Sequence, residues 1–238
     1  MIAVAMSGGV RSSAAAVVFR ASGEEVVGLS MQLWNRRRAL NEEESSDLTR
    51  TGRCCSLDDI WDARRVASHL EIPFYVLNLE DQFENTVIAP FVSSYVRRET
   101  PSPCILCNNF VKFHHLVERA AGIGADRVAT GHYARVGYDE TRGRWILRRG
   151  KDRNKDQSYF LFGLTQAQLA KTVFPLGELT KPEVREIARQ AGLPTYNKPE
   201  SQEICFVEGR SYADFVEKYA GIEAKSGGQI VNLTQEIV

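Results

Sequence analysis

The chain has 238 residues, with 30 lysines and arginines against 30 aspartates and glutamates, so its formal charge is zero. A chain of this length buries roughly 70–75% of its unfolded surface without help from a disulfide or metal staple, and 43% apolar with 25% charged residues excludes fibrous, low-complexity and wholly disordered classes. The longest apolar run, Ala14 to Phe19, is too short to span a bilayer, and Met1-Ile2-Ala3-Val4 lacks a basic signal region, so a cytoplasmic protein with no membrane partner is expected.

Ile2 to Met6 reads as a buried strand, followed by Ser7-Gly8-Gly9-Val10-Arg11-Ser12-Ser13 and an Ala/Val-rich helix to about Ser22. Val26 to Leu33 is a second strand, and the polar, aperiodic stretch 35–53 reads as a mobile surface insertion. A helix from Ser56 to Leu70 precedes a third strand, Phe74 to Leu79. Apolar strands alternating with helices indicate an α/β fold, a doubly wound parallel sheet covered on both faces.

A helix around Pro90 to Arg98 leads into Thr100-Pro101-Ser102-Pro103, then comes a helix carrying Phe110, Phe113, Leu116 and Val117, and a fourth strand over Arg127 to Ala134. Alternation from Ala134 to Arg149 predicts a hairpin, and Thr180-Lys181-Pro182-Glu183 opens a helix that Gly192 ends. After Cys205 come a short helix, Tyr212 to Tyr219, and a strand-like end, Gln229 to Leu233. The pattern changes after Cys205, so residues 1–205 read as one large domain and residues 206–238 as the start of a small second one.

Ser-Gly-Gly between a strand and a helix makes a phosphate cradle, because glycines let backbone N–H groups approach an anion and the helix amino terminus adds its dipole. Neither the Walker pattern nor G-x-G-x-x-G is present, and a tight turn that binds nothing shares this pattern. Five cysteines do not form a secreted framework. Cys104 and Cys107 form C-x-x-C, which serves dithiol, zinc and iron-sulfur sites alike, and the two prolines beside them predict an exposed segment. Adjacent Cys54 and Cys55 read as bystanders, and His114 and His115 as ordinary helix residues. From Arg142 to Lys155 there are seven basic residues and one acidic residue, a stripe suited to a phosphate backbone. Residues 200–225 hold six acidic residues against three basic, so the zero net charge is a regional cancellation.

The Ser7–Ser13 loop resembles the pyrophosphate loop of adenylating ATP pyrophosphatases. Further blocks resemble the bacterial tRNA-specific 2-thiouridylases: Gly28-Leu29-Ser30-Met31, Thr100 to Asn108, Ala129-Thr130-Gly131-His132-Tyr133-Ala134-Arg135, Lys155 to Leu161, and Ser201 to Phe206. The resemblance implies a PP-loop, adenine-nucleotide alpha-hydrolase-like fold. It implies ATP with Mg²⁺ held at Ala5, Met6, Ser7, Gly8, Gly9, Val10, Arg11, Ser12, Ser13, Met31 and Gly131. It implies tRNA, with a wobble uridine of the Lys/Glu/Gln type, contacted by Ser102, Pro103, Cys104, His132, Lys155, Asp156 and Gln157.

The same resemblance implies catalytic Cys107 and Cys205. With Cys104 as a third thiolate they resemble ligands of a 4Fe-4S cluster whose fourth iron is open; without a cluster, Cys205 would carry a persulfide and Cys107 would release its sulfur. A sulfur donor or relay protein is implied, as are the rest of a central domain and a C-terminal β-barrel beyond residue 238. Arg11 departs from the pattern, since the family has aspartate there; a guanidinium holds phosphate but can neither ligate a metal nor act as a base. Two other readings share the loop: another adenylating synthetase, which needs none of the three cysteines, and a nucleotide- or RNA-binding module disabled by Arg11.

Overall fold

The structure, a computed structural model, describes residues 1–34, 57–199, 204–207, 211–222, 232 and 234. The expected insertion at 35–53, Cys54, Cys55, Ser56, residues 201–203 and, except for Asn232, the strand expected at 229–233 lie outside the described residues. Five parallel strands form the main sheet: β1 (Ile2–Ala5), β2 (Val26–Gln32), β3 (Phe74–Asn78), β4 (Arg127–Ala129) and β7 (Thr172–Val173), in the order β3-β2-β1-β4-β7. A separate antiparallel hairpin pairs β5 (Ala134–Asp139) with β6 (Arg144–Arg149).

The strands are covered on both faces, as their apolar runs predicted. Ile2, Val4 and Val26 pack with Ala14, Ala15 and Ala16 of α1 (Val10–Ala21), with Ala63 and Val66 of α2 (Leu57–His69), and with Val184 and Ala188 further along the chain. Ala3, Val27, Leu29 and Val128, one residue out of phase, pack against Leu116 and Ala120 on the other side. A strand's period of two sends successive side chains to opposite layers, so each small strand serves two cores. The small alanine face of α1 lets that helix lie close against the sheet.

Two stretches depart from the sequence expectation. The helix expected from Pro90 to Arg98 starts ten residues earlier: α3 runs over 80–96, with a π segment, Glu84–Ile88, between Glu80–Phe83 and Ala89–Val96. Proline inside a helix ordinarily leaves a carbonyl without its donor. Here Ala89 N–H reaches back to the Glu84 carbonyl, and Pro90 falls in the first turn of the next segment, where no donor is required. The fourth strand ends at Ala129 rather than Ala134, because the chain leaves the sheet at Thr130 and re-enters a different one at Ala134.

α4 spans 103–122 as Pro103–Leu106, a nine-residue π segment Cys107–His115, and Leu116–Gly122. A 3₁₀ turn (Ser158–Leu161) and α5 (Gln166–Ala170) follow the hairpin. α6 (Lys181–Gln190) starts at the expected box: Thr180 N–H and Oγ1 donate to Glu183 Oε2 at 2.5 and 2.7 Å. It stops before Gly192, at φ +64°. α7 (Tyr212–Ala220) lies against α3, where Phe206, Phe215 and Val216 join Phe83, Phe91 and Val92. No helix among the described residues is long and apolar enough to cross a membrane.

Candidate active site

The sheet order reverses between β1 and β4, and ligands of open α/β sheets bind at that crevice, outside the carboxyl ends of the strands. A cavity of about 240 Å³ opens there. Ala5, Met6 and Ser7 reach it from β1, Ser30 and Met31 from β2, and Thr130, Gly131 and His132 from β4. Arg11 and Ser12 reach it from α1, Pro103, Cys104, Cys107 and Lys112 from α4, and Gln157 and Cys205 from the loops. Residues expected to hold nucleotide, base and sulfur thus share one space, although Cys205 lies 98 positions beyond Cys107.

The amino end of α1 presents no acidic residue in its first turn and no side-chain cap on Gly9. Its unpaired donors and dipole therefore favour an anion. Gly8 sits at φ +68°, and a Cβ there would lie 2.2 Å from the Asp59 carbonyl oxygen. A Cβ on Gly131 would lie 2.8 Å from both the Arg11 carbonyl carbon and the Ser12 nitrogen, so the end of β4 rests directly on the first turn of α1. Ser12 Oγ accepts from Ser7 N–H at 3.1 Å and donates to the Gly9 carbonyl at 3.1 Å, which closes the loop.

Not every expected loop residue faces the cavity. Val10 packs into the core, and Ser13 is fully buried, donating to the Gly9 carbonyl at 2.9 Å and accepting from Thr195 Oγ1 at 3.2 Å. Asp156 turns into its own loop: Oδ1 accepts from Gly150 N–H at 2.8 Å and Oδ2 from Ser158 Oγ at 2.8 Å. Burial opposes its ionisation, but these hydrogen bonds outweigh it and hold the carboxyl below the ordinary range. Ser102 precedes α4, and Lys155 N–H closes a turn on the Asp152 carbonyl at 3.1 Å; neither lines the cavity.

The cysteine segment is only partly exposed, contrary to expectation. Cys104 is exposed, Cys107 buried and Cys205 half-buried. Pro103 begins the helix and is itself buried, so the prolines fold this turn inward. Phe206, next to Cys205, sets its ring edge-on against Phe91 and Phe83, at 5.1 and 5.7 Å between centroids. That anchor keeps Cys205 at the cavity. Among the described residues, the set of metal-capable groups close enough to share one ion is His114, His115 and Glu118, on the exposed side of α4.

Lys112 and Asp59 also line the cavity and were not anticipated from the sequence. In an α-helix, positions i and i+5 lie about 140° apart, so Lys112 reads as facing away from Cys107. The π winding takes about five residues per hydrogen-bonded turn and brings both to one face. Asp59, 3% exposed, accepts from Lys198 Nζ at 2.6 Å, and Asp62 accepts from the same ammonium at 2.5 Å. His132 Nδ1 lies 2.7 Å from Thr130 Oγ1. Burial, with the Lys112 and Arg11 cations nearby, holds its imidazole well below the ordinary value, so it is neutral at pH 7.

A model of the family described as the tRNA methyl transferase HUP domain matches residues 1–209. The tRNA-specific 2-thiouridylase MnmA of Koribacter versatilis is 53% identical over 241 residues, covering 100% of this chain and 65% of its own length. The protein of the same name from Acidobacterium capsulatum is 52% identical, with 100% and 64% covered. That from Solibacter usitatus is 55% identical over 231 residues, with 95% and 62% covered. The chain spans a little under two thirds of the length of these relatives.

Proposed function

Because the chain belongs to the tRNA methyl transferase HUP domain family, and relatives above 50% identity carry the name tRNA-specific 2-thiouridylase, we propose that residues 1–205 form the nucleotide-binding catalytic domain of a tRNA-uridine 2-sulfurtransferase. Residues from 206 onward open a central linker domain. One observation carries this reading: the uncapped amino end of α1 and three cysteines face the same cavity. An anion cradle alone would suit any adenylating synthetase. Sulfur chemistry is the reason to add cysteines.

The reaction makes a leaving group from an unreactive carbonyl. O2 of the wobble uridine bonds to the α-phosphorus of Mg²⁺-ATP, the bond to the β-phosphate oxygen breaks, pyrophosphate departs with that electron pair, and N3 loses its proton. Hydrosulfide then bonds to C2, the C2–O bond breaks, AMP departs with the original uridine oxygen, and the hydrosulfide proton ends on N3. Such steps depend on positioning and on neutralising charge. Ser7, Gly8, Gly9 and Ser12 hold the pyrophosphate end, with Ala5, Met31 and Gly131 beside the adenosine. Lys112 offsets phosphate charge, and neutral His132 offers a hydrogen bond to the base without adding a cation. The base itself must leave its stack to enter this cavity, where Pro103 and Cys104 meet it.

Cys104, Cys107 and Cys205 line one cavity, and three thiolates are a ligand set that an iron-sulfur centre can use. Cys104, Cys107 and Cys205 would hold a 4Fe-4S cluster with one iron open, which supplies a place to bind sulfide. The persulfide reading has its own support: Cys107 and Cys205 share an apolar cluster while Cys104 stands exposed. The sulfur donor is a small inorganic source or a relay protein, and the tRNAs are of the Lys/Glu/Gln type.

The test is nucleoside mass spectrometry of tRNA incubated with the chain, Mg²⁺-ATP and sulfide under anaerobic conditions. The appearance of 2-thiouridine, and its loss in Cys107→Ala, supports the reading. AMP release unaffected by replacing all three cysteines would favour a synthetase. Iron and sulfide bound by the wild type but lost in Cys104→Ala supports the cluster; thiolation by iron-free protein, retained in Cys104→Ala, restores the persulfide pair.

A further inference from the structure

Tyr159 and Phe162 are the most exposed large hydrophobic side chains among the described residues, at 68% and 66%. Single exposed rings need no explanation. These two are neighbours, with centroids 6.2 Å apart and planes tilted by 49°, and Phe160 backs Tyr159 edge-on at 5.6 Å. They sit on the 3₁₀ turn that follows Gln157, a residue lining the cavity.

The turn is fixed relative to the thiols. Asn108, which follows Cys107, is 2% exposed and donates from Nδ2 to the Phe160 carbonyl at 3.0 Å. Behind the rings, Leu161 is fully buried in a cluster with Phe113, Leu164 and Phe174. On one side the turn packs against the start of α4, and on the other against β6, whose Arg144 and Arg148 are exposed and make no ion pair among the described residues. Arg153, in the loop between β6 and the turn, is likewise exposed and unpaired.

We propose that Tyr159 and Phe162 form a stacking platform for unpaired nucleotides flanking the target base, with the arginines of β6 and its following loop taking the adjoining phosphates. An aromatic pair beside unpaired guanidinium groups is the chemistry of single-stranded nucleic-acid recognition: stacking tolerates any base, and the cations track the backbone. The anchoring through Asn108 gives the stacked nucleotides a fixed register to the thiols. The inference rests on RNA being the substrate of the neighbouring cavity and names where that RNA is gripped.

The experiment compares two dye-labelled RNAs, a hairpin with a uridine-containing single-stranded loop and a fully paired duplex, binding to the 238-residue chain and its variants across a salt series. Tyr159→Ala and Phe162→Ala are expected to weaken hairpin binding about 5- to 150-fold per stacked base while leaving the duplex and the salt slope unchanged. Arg148→Ala and Arg153→Ala are expected to weaken both RNAs and to reduce the salt slope by about one for each lost phosphate contact. Both aromatic side chains are two-thirds exposed, so circular dichroism melts of the variants should match the wild type. Hairpin binding unchanged by either aromatic variant overturns the platform while leaving RNA as the substrate. An aromatic variant that alters sedimentation but not RNA affinity identifies the patch as a contact between proteins and also overturns it. A wild-type chain that binds neither RNA overturns the tRNA reading itself.

Discussion

The Arg11 guanidinium donates from Nη1 to Gln157 Oε1 at 2.7 Å, tying the anion loop to a side chain 146 positions away. The same oxygen accepts from Tyr133 N–H at 3.2 Å, so Gln157 links α1, the residue before β5 and the loop before the aromatic turn. On the proposed function, a cation at this point would favour bound triphosphate, whereas it can neither ligate Mg²⁺ nor accept a proton.

Arg11→Asp is therefore expected to raise tRNA-dependent ATP–pyrophosphate exchange by at least about tenfold, roughly 1.4 kcal/mol of transition-state stabilisation. ATP affinity should change little or fall, because a phosphate-binding cation is lost. Equal exchange rates for the two forms would remove Arg11 from the chemistry.

Gly131→Ala is expected to disable nucleotide binding and to lower stability by about 1–3 kcal/mol. The added Cβ meets backbone atoms of Arg11 and Ser12, which cannot rotate away, so the first turn of α1 must shift. Gly137, with nothing within 4 Å of its Cβ position, provides the control: Gly137→Ala should melt close to wild type. Melting curves with and without ATP separate the two effects.

Phe206→Ala should cost about 3–5 kcal/mol, because a buried ring among Phe83, Phe91 and Phe215 leaves a cavity. The more specific outcome concerns its neighbour: maleimide labelling of Cys205 should accelerate relative to Cys104 in the same sample, while Phe206→Leu largely restores the wild-type ratio. An unchanged labelling ratio would show that another contact seats Cys205.

The carboxyl of Glu183 is held at about 2 by the Thr180 backbone N–H, the Thr180 hydroxyl and the Lys151 ammonium, against an ordinary value of 4.5. Its contribution to the start of α6 is therefore complete above about pH 4.5 and disappears as the pH falls through about 2. The melting temperature of the wild type should exceed that of Glu183→Gln near neutrality, and the gap should close between pH 4.5 and 2. A gap independent of pH would assign the effect to something other than this carboxylate.

The sequence alone determined the layered architecture, because hydrophobic period is local. Runs such as Ile2 to Val4 and Val26 to Leu29 read as strands buried on both faces, and Thr180 to Glu183 satisfies a helix start with its own side chains. It also marked the candidate site, since a Ser-Gly-Gly turn and paired cysteines are chemically unusual wherever they occur. Helix winding was not legible. The π segments in α3 and α4 change which side chains share a face, and no local pattern in the sequence announces them. Lys112 joins Cys107 only because of this winding.

The early end of β4 was not legible either: the strand stops at Ala129, and Gly131 beyond it rests on the first turn of α1, where a side chain would not fit. Only the tertiary structure decided which residues of the recognised segments face the cavity, turning Ser13 and Asp156 inward and leaving Tyr159 and Phe162 outside. A segment's composition says what chemistry it can perform. The packing behind it decides which side of it meets a ligand.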